Sequence, residues 1–256
     1  MSVLSRTNRA GVATLTMERP QARNALSMEL MNALISAFDD LSKDASTKAV
    51  ILKGAGPAFC AGHDLKEMRA NPSRAFMQET FATCSRLMLA ITRLRQPVIA
   101  EVHGIATAAG CQLVATCDLA VCASDARFAT PGVNIGLFCS TPMVALTRAV
   151  GRKAAMKMLL TGEMIGAEEA VRIGLVNSAV APSALQETTS ALAGGIAAKS
   201  GRILAIGKEA FGRQIDMDLE GAYTYAGEVM TENMMLRDAA EGIDAFLEKR
   251  KPSWCE

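Results

Sequence analysis

The pattern of hydrophobic and polar positions predicts strands and helices that alternate along the first half of the chain. Val12 to Met17 alternate as the residues of a half-buried strand do. From residue 30 to residue 41 the apolar positions recur with the 3.6-residue period of a helix, and Ser27 is placed to cap its N-terminus. The same period predicts a second helix over Arg74 to Arg93.

Short, continuous apolar runs predict buried strands, and helical patterns replace them towards the C-terminus. The predicted strands are Ala49 to Leu52, Pro97 to Val102, Leu119 to Cys122 and a segment near Leu175 to Val180. The later predicted helices are Thr141 to Val150, Lys153 to Leu160, Ala167 to Ile173 and a C-terminal set that ends in Gly242 to Lys251. We therefore expect an α/β body with a helical C-terminal appendage.

Composition and charge narrow the classes of partner. Hydrophobic residues make up 50% of the chain, enough for a sizeable core, and 27 Lys and Arg residues nearly balance 26 Asp and Glu residues. This balance gives no reason to expect a nucleic acid or a membrane surface as partner. The N-terminal residues lack the apolar core of a secretory signal, and no apolar run is long enough to cross a membrane. We therefore expect a cytoplasmic protein.

The seven cysteines follow no metal-binding pattern. No Cys-x-x-Cys pair occurs, and only His63 and His103 are available as histidine ligands. We therefore expect no metal site, and reduced thiols that pack as small hydrophobic side chains. The glycines at 54 and 56 do not begin a dinucleotide fingerprint, because Phe59 stands where the third glycine is required.

Two glycine-containing segments are the best candidates for chemistry. They run from Pro57 to Met68 and from His103 to Leu113, and each places small residues where a buried strand turns into a helix. Small residues let a ligand approach main-chain N–H groups, which the start of a helix leaves without partners. Two converging N–H groups form an oxyanion hole. The residues alone are equally compatible with two tight turns that only pack together.

Together the two segments resemble the signature of the crotonase superfamily, also called the enoyl-CoA hydratase/isomerase family. That signature reads Ala-Phe-x-Ala-Gly-x-Asp-Leu/Ile-Lys-Glu and then Asn-Gly-x-Ala-x-Gly-Gly-Gly-x-Glu-Leu. Three further segments resemble family motifs in the family's order: Arg19 to Leu26, Phe128 to Leu137 and Glu241 to Pro252. The resemblance implies an α/β crotonase (ClpP-like) spiral of ββα units over residues 1–198 and a helical trimerisation region over residues 199–256. It also implies a homotrimer or homohexamer.

The resemblance further implies the ligand and the residues that hold it. The ligand is an acyl-CoA thioester, with CoA as part of the substrate and no separate cofactor, and its carbonyl oxygen meets the backbone N–H groups of His63 and Ala109. Ala109 replaces the family's usual glycine, and its methyl group restricts positive φ. Asp64 is expected to be a structural acceptor rather than a base. The residues expected at CoA are Arg23, Ala25, Ala61, Asp64, Leu65, Lys66, and, reaching a neighbouring subunit's CoA, Phe246 and Lys249.

Two positions depart from the family's hydratases, which use two glutamates to add water across a double bond. Gln112 and Gly132 stand where those glutamates are expected. Glutamine exchanges no proton at neutral pH and glycine has no side chain, so we expect the loss of two groups that contribute roughly 10² to 10⁴-fold each. The sequence identifies no substitute acid; the polar candidates considered are Asn134, Ser140, Thr141, Glu67 and Glu79.

Three functions remain open at this point. The first is an enzyme that needs only enolate stabilisation, such as a decarboxylase, because loss of carbon dioxide generates the enolate without a base. The second is a non-catalytic acyl-CoA-binding or regulatory protein, and the third is a conventional enoyl-CoA hydratase that uses other residues. The strings Ala106 to Leu113 and Gly136 to Pro142 resemble one particular branch of the family, from which no settled chemistry carries over.

Overall fold

Strands and helices alternate in the first half of the chain and helices predominate in the second, in a computed structural model that describes residues 2–255. The strands are β1 (Leu4–Arg9), β2 (Val12–Met17), β3 (Ala49–Gly54), β4 (Val98–Val102), β5 (Ile105–Thr107), β6 (Leu119–Ala123), β7 (Arg127–Ala129), β8 (Ile165–Gly166) and β9 (Ser178–Val180). The α-helices are α1 (Met28–Lys43), α2 (Leu65–Ala70), α3 (Arg74–Arg93), α4 (Ala109–Thr116), α5 (Ser140–Ala149), α6 (Arg152–Thr161), α7 (Ala167–Arg172), α8 (Leu185–Ala197), α9 (Gly201–Gln214), α10 (Leu219–Met234) and α11 (Arg237–Leu247). Short 3-10 helices occur at Pro20–Ala22, Pro131–Ile135 and Pro182–Ala184.

The strands form two sheets that are built up unit by unit. The larger sheet has the order β1-β2-β3-β4-β6-β9, in which β1 and β2 are antiparallel and all other neighbours are parallel. The smaller sheet has the order β5-β7-β8. Both β4 and β6 continue into a strand of the smaller sheet and then into a helix, which produces the expected ββα repeat. The predicted α/β body is confirmed.

The larger sheet is covered on both faces, which explains its continuous apolar strands. One face packs in the main core together with α1 and α3, and the other packs against α8 through small residues such as Ala193. All five residues of β4 are buried. Helix α1 begins where the sequence predicts it, because the Ser27 side chain accepts a hydrogen bond from the Leu30 N–H at 3.2 Å.

Most predicted elements are confirmed, and two have bounds that differ from the prediction. Strand β9 covers only the end of the predicted segment, because Leu175 and Val176 bury their side chains in the turn that precedes it. Helix α11 ends four residues before the predicted Lys251, because Lys249 adopts a left-handed conformation with φ of 56°. Strands β1, β5, β7 and β8 and helix α8 were not predicted.

The C-terminal helices are joined to the body by a partly buried lysine. Lys208 in α9 donates from Nζ to the carbonyl oxygens of Ile91 at 3.0 Å and Gln96 at 3.1 Å, and it pairs with Asp118 at 2.6 Å. The expected boundary at residue 198 falls between α8, which packs on the sheet, and α9. The division into two domains stays a prediction, and its outer limits, residues 1 and 256, lie outside the described residues. Within residues 2–255 no helix combines the length and apolarity that a membrane span requires.

Candidate functional site

The two candidate segments lie side by side. Phe59 N–H donates to the His103 carbonyl at 3.0 Å, and Cys60 exchanges hydrogen bonds with β5 at 3.0 and 3.1 Å. Helix α4 passes directly over Cys60. A Cβ atom on Gly110 would stand only 2.1 Å from the Cys60 carbonyl oxygen. Glycine is therefore required at position 110, and the close approach brings the starts of α2 and α4 together.

Two unpaired N–H groups are found where these segments meet. Within residues 2–255, neither the His63 N–H nor the Ala109 N–H donates to a protein acceptor. Gly62, with φ of 97°, lies between them: a Cβ atom there would stand 3.5 Å from Ala109 N and 3.0 Å from Ala108 Cβ. Two neighbouring unpaired donors can bind an oxygen atom that gains negative charge.

The strained backbone residue beside these donors is Ala108, which corrects the expectation for Ala109. Ala108 has φ of 50° and ψ of −117°, whereas Ala109 is the first residue of α4 and keeps a helical conformation. The methyl group of Ala109 therefore does not disturb its own N–H. The strain falls one residue earlier, where the chain must reverse between β5 and α4.

The imidazole of His63 is enclosed without a hydrogen-bonding partner. Both ring nitrogens are buried and unpaired, and the ring meets Phe81 edge-on with 5.5 Å between centroids. Burial lowers the pKa of His63 to about 4, and the Leu26 backbone, which opposes this shift, does not reach a ring nitrogen with hydrogen-bond geometry. The side chain is therefore neutral at physiological pH.

Gln112 is buried on α4 and contacts a cysteine that the sequence reasoning did not assign to the site. The Cys84 thiol donates to Gln112 Oε1 across 3.9 Å, and Gln112 is 5% exposed. Burial raises the pKa of Cys84 to about 12, so the thiol keeps its proton. The available signal was the place of Cys84 on the apolar face of α3, three residues after Phe81.

Position 132, where a second glutamate was expected, has no room for a side chain. A Cβ atom on Gly132 would stand 2.9 Å from the Leu137 carbonyl oxygen and 3.0 Å from Cys139 Sγ. Cys139 is buried, and this burial raises the pKa of its thiol. The two unplaced acids do not take over: Glu67 accepts a hydrogen bond from Met28 N–H at 2.9 Å, and Glu79 is exposed and pairs with Arg86.

Six of the residues expected at CoA lie around one loop junction. Ala61 N–H donates to the Arg23 carbonyl at 3.0 Å, which joins the loop of Arg23 and Ala25 to the segment that starts α2. Arg23, Leu65 and Lys66 are exposed there. The other two expected residues are not part of this group, since Phe246 is 81% exposed on α11 and Lys249 follows that helix.

Asp64 has a structural role at this junction. It accepts hydrogen bonds from the N–H groups of Lys66 and Glu67 at 3.1 Å each, and it pairs with Arg19 at 2.8 Å. Burial raises the pKa of Asp64, but Arg19 and the two N–H groups outweigh burial and hold the pKa below its ordinary value. The expectation of an acceptor rather than a base agrees with these contacts.

Asn24 is a further structural residue that the sequence reasoning missed. It is completely buried, and its amide nitrogen donates to the carbonyl oxygens of Ala55 at 2.9 Å and Ala58 at 2.7 Å. Its amide oxygen accepts a hydrogen bond from Arg19 N–H at 2.9 Å. Asn24 thus fixes the loop that carries Arg23 and Ala25 against the first candidate segment.

Comparison with known proteins identifies the family. The family model described as "Enoyl-CoA hydratase/isomerase" matches residues 7–256. The chain belongs to this family. Human enoyl-CoA hydratase domain-containing protein 3, mitochondrial, is 47% identical over 247 residues, which cover 95% of this chain and 80% of that protein. The predicted resemblance to one branch of the enoyl-CoA hydratase/isomerase family is confirmed by this relative.

Solved structures confirm the crotonase fold. The chain matches enoyl-CoA hydratase from Mycobacterium smegmatis with a TM-score of 0.96 and 57% identity, over 98% of both chains. It matches human enoyl-CoA hydratase domain-containing protein 3 with a TM-score of 0.96 and 46% identity, over 98% of this chain and 100% of that one.

The expected cytoplasmic location is wrong by the same comparison. The human relative and the rat relative, which is 46% identical over 244 residues, are both named as mitochondrial proteins. Their names point to mitochondria rather than to the cytoplasm. The expectation rested on the absence of a secretory signal and of an apolar run long enough to cross a membrane, and neither absence distinguishes the cytoplasm from mitochondria.

Proposed function

We propose that this chain binds an acyl-CoA thioester with its carbonyl oxygen at the N–H groups of His63 and Ala109, and that it stabilises an enolate without performing classical hydration. The observation that carries the proposal is the pair of unpaired N–H groups beside two positions that hold no acid. The neutral His63 ring and Phe81 form an aromatic contact next to these donors, and an apolar surrounding strengthens hydrogen bonds to a charged oxygen.

Decarboxylation is the reaction that needs the fewest groups from the protein. The bond between the α-carbon and the carboxylate breaks, carbon dioxide leaves, and the electron pair moves to the thioester oxygen. The two N–H groups hold the resulting enolate, and a proton from water then adds to the α-carbon. No carboxylate side chain takes part, which agrees with Gln112 and Gly132 at the positions of the usual glutamates.

The CoA part of the ligand is proposed to follow the exposed junction beside the donors. Arg23 and Lys66 are exposed cations there and suit the phosphates of CoA, while Ala25, Ala61, Asp64 and Leu65 lie in the two segments that carry these cations. Phe246 and Lys249 are proposed to reach the CoA of a neighbouring subunit, since Phe246 is exposed on α11 and Lys249 is exposed just after it.

We propose a trimer or a hexamer as the assembly. The C-terminal helices expose large apolar side chains, including Phe211, Leu219 and Phe246, each more than half exposed. A different apolar surface, with Ile135, Leu137 and Val144, is exposed beside the second candidate acid position. Pairing of two different surfaces is heterologous and closes into a ring when the rotation permits.

The second candidate function is hydration of an enoyl-CoA by residues other than the two expected glutamates. The relative from Mycobacterium smegmatis, which shares 57% identity with this chain, is named an enoyl-CoA hydratase. The two functions differ in their demands: hydration needs a group that takes a proton from water, whereas decarboxylation does not. Gln112 is able to hold a water molecule through its amide but not to deprotonate it.

A panel of acyl-CoA thioesters tests both candidates. We expect mass spectrometry to detect decarboxylation of malonyl-type thioesters, which carry a carboxylate on the α-carbon, with little hydration of crotonyl-CoA, while equilibrium titration detects CoA binding. Binding without any turnover would support a non-catalytic acyl-CoA-binding protein instead. A bound complex whose thioester oxygen lies away from both N–H groups would overturn the proposed site.

A further inference from the structure

The contact between Cys84 and Gln112 fixes which end of the Gln112 amide is free. The thiol of Cys84 donates to Oε1 across 3.9 Å, so the carbonyl end of the amide faces α3. Within residues 2–255 Nε2 has no hydrogen-bonding partner, and it is not one of the fully buried polar atoms. The amide therefore presents two N–H donors on the side away from Cys84.

The protonated thiol of Cys84 determines which way the Gln112 amide is oriented. A thiolate would accept from Nε2 and turn the amide around, whereas a thiol donates to Oε1. Burial raises the pKa of Cys84 to about 12, so the donor form persists throughout the neutral range. Thr116 holds the backbone of Gln112 as well, since its hydroxyl donates to the Gln112 carbonyl at 2.7 Å.

The free amide lies one helical turn from Ala109. Residues three apart on a helix share a face, and one turn rises about 5.4 Å. The β-carbon of an acyl group whose carbonyl oxygen accepts from the Ala109 N–H lies at a similar distance from the Ala109 nitrogen, because the hydrogen bond adds about 3 Å to the separation of that oxygen and the β-carbon. We infer that Cys84 is a positioning residue that aims the Gln112 amide at the β-position of the acyl chain, and that the site selects thioesters with a hydrogen-bond acceptor there.

The substrates that fit this geometry are 3-oxoacyl or malonyl-type thioesters rather than thioesters with a saturated hydrocarbon chain. This inference rests on the proposed function, because it requires the thioester to occupy the His63 and Ala109 donors. A saturated chain would leave the two Gln112 donors unpaired in a buried site, which is unfavourable. The oxygen of a 3-oxoacyl group, or the carboxylate of a malonyl-type thioester, would accept hydrogen bonds from these two donors.

Equilibrium binding of two similarly shaped ligands tests the inference. Acetoacetyl-CoA has an oxygen on its β-carbon, and isovaleryl-CoA has a methyl group in the same place. We expect acetoacetyl-CoA to bind the unmodified protein more tightly by roughly 2- to 10-fold, the factor of one neutral hydrogen bond. Gln112→Met removes the donors and should abolish this preference.

Variants of Cys84 separate positioning from packing. We expect Cys84→Ala to reduce the preference for acetoacetyl-CoA while the Kd of isovaleryl-CoA stays within about 2-fold, and Cys84→Ser to return part of the preference through its hydroxyl donor. Cys122→Ala, which removes a different buried thiol, is the control and should leave the preference unchanged.

Three outcomes overturn the inference. Equal weakening of both ligands in Cys84→Ala would mean that the thiol only fills space. An unmodified protein that binds both ligands equally would refute the β-position donor while leaving the proposed function intact. An unmodified protein that binds neither thioester would refute the proposed function itself and the inference with it.

Discussion

Gly132 lies so close to Cys139 that a Cβ atom on the glycine would stand 3.0 Å from the cysteine sulfur. The Leu137 carbonyl oxygen, at 2.9 Å from the same point, closes the other side. A carbonyl oxygen of the main chain cannot move aside as the end of a flexible side chain can. This pair of contacts makes position 132 a packing position, where the family resemblance led us to expect an acid.

The first prediction concerns the stability of Gly132 variants. Gly132→Ala should lower the free energy of unfolding by about 1–3 kcal/mol, because an overpacked core must shift to admit the methyl group. Urea unfolding followed by circular dichroism measures this difference. Gly195→Ala is the matched control: nothing lies within 4 Å of its added Cβ on the exposed side of α8, so the variant should be neutral or slightly stabilised. Equal midpoints for Gly132→Ala and the unmodified protein would show that the pocket has room for a side chain.

The second prediction concerns hydration of crotonyl-CoA. We expect a kcat more than tenfold below about 10 s⁻¹, the median for enzymes, and no recovery in Gln112→Glu. The new carboxylate would restore only one of two groups, and the contacts of Gly132 prevent the second from being added without loss of stability. A standard hydration assay of both proteins is sufficient. A kcat near the median in the unmodified protein would mean that another residue performs the acid–base steps.

The third prediction distinguishes Ala108 from Ala109. Ala108→Gly should stabilise the protein by about 0.5–2 kcal/mol, because glycine accepts a φ of 50° without strain and this outweighs its greater freedom in the unfolded chain. Ala109→Gly should destabilise by up to about 1 kcal/mol, since it removes a buried methyl group from the first turn of α4. Thermal unfolding of the two variants should therefore shift Tm in opposite directions. Shifts in the same direction would contradict the assignment of strain to Ala108.

The fourth prediction concerns the pH dependence that His63 confers. Its pKa is about 4 when folded and 6.5 in the reference state, so the unfolded chain binds a proton that the folded protein refuses. Stability from this residue is complete above pH 6.5 and is lost as pH falls towards 4. Between pH 6 and pH 5 the free energy of unfolding should fall by at most about 1.4 kcal/mol on account of His63.

His63→Gln provides the comparison for this slope. The variant has no titrating ring, so its stability should depend less on pH in that interval, whatever its absolute stability. Denaturant unfolding at several pH values gives both slopes. Identical slopes in the two proteins would show that the imidazole is not held neutral by burial.

The fifth prediction concerns assembly. Light scattering at micromolar concentration should give three or six times the monomer mass, and Phe246→Glu should shift the protein towards smaller species. The reason is that Phe246 is 81% exposed in the single chain, and a carboxylate there would resist burial at an interface. A monomer mass for the unmodified protein would exclude the proposed ring.

Local sequence determined the regular elements because their signals are contained within each segment. Helix α3 has the predicted bounds, Arg74–Arg93, since its apolar face repeats every 3.6 residues and Ser73 caps it. Gln112 and Gly132 were equally visible at the positions where the resemblance predicts glutamates, because residue type needs no structure. The family motifs likewise indicated the crotonase fold from the sequence alone.

Only the tertiary structure decided how the site is arranged. Cys84 and Gln112 are 28 residues apart, and their contact depends on how α3 packs against α4 rather than on any local pattern. The closed space at Gly132 depends on how the following loop folds Leu137 and Cys139 back onto it, and the conformation of Ala108 depends on the reversal of the chain between β5 and α4. Periodicity specifies which face of an element is buried, but the partner atoms across that face are set by packing, because close-packed side chains from distant segments must fill the same volume.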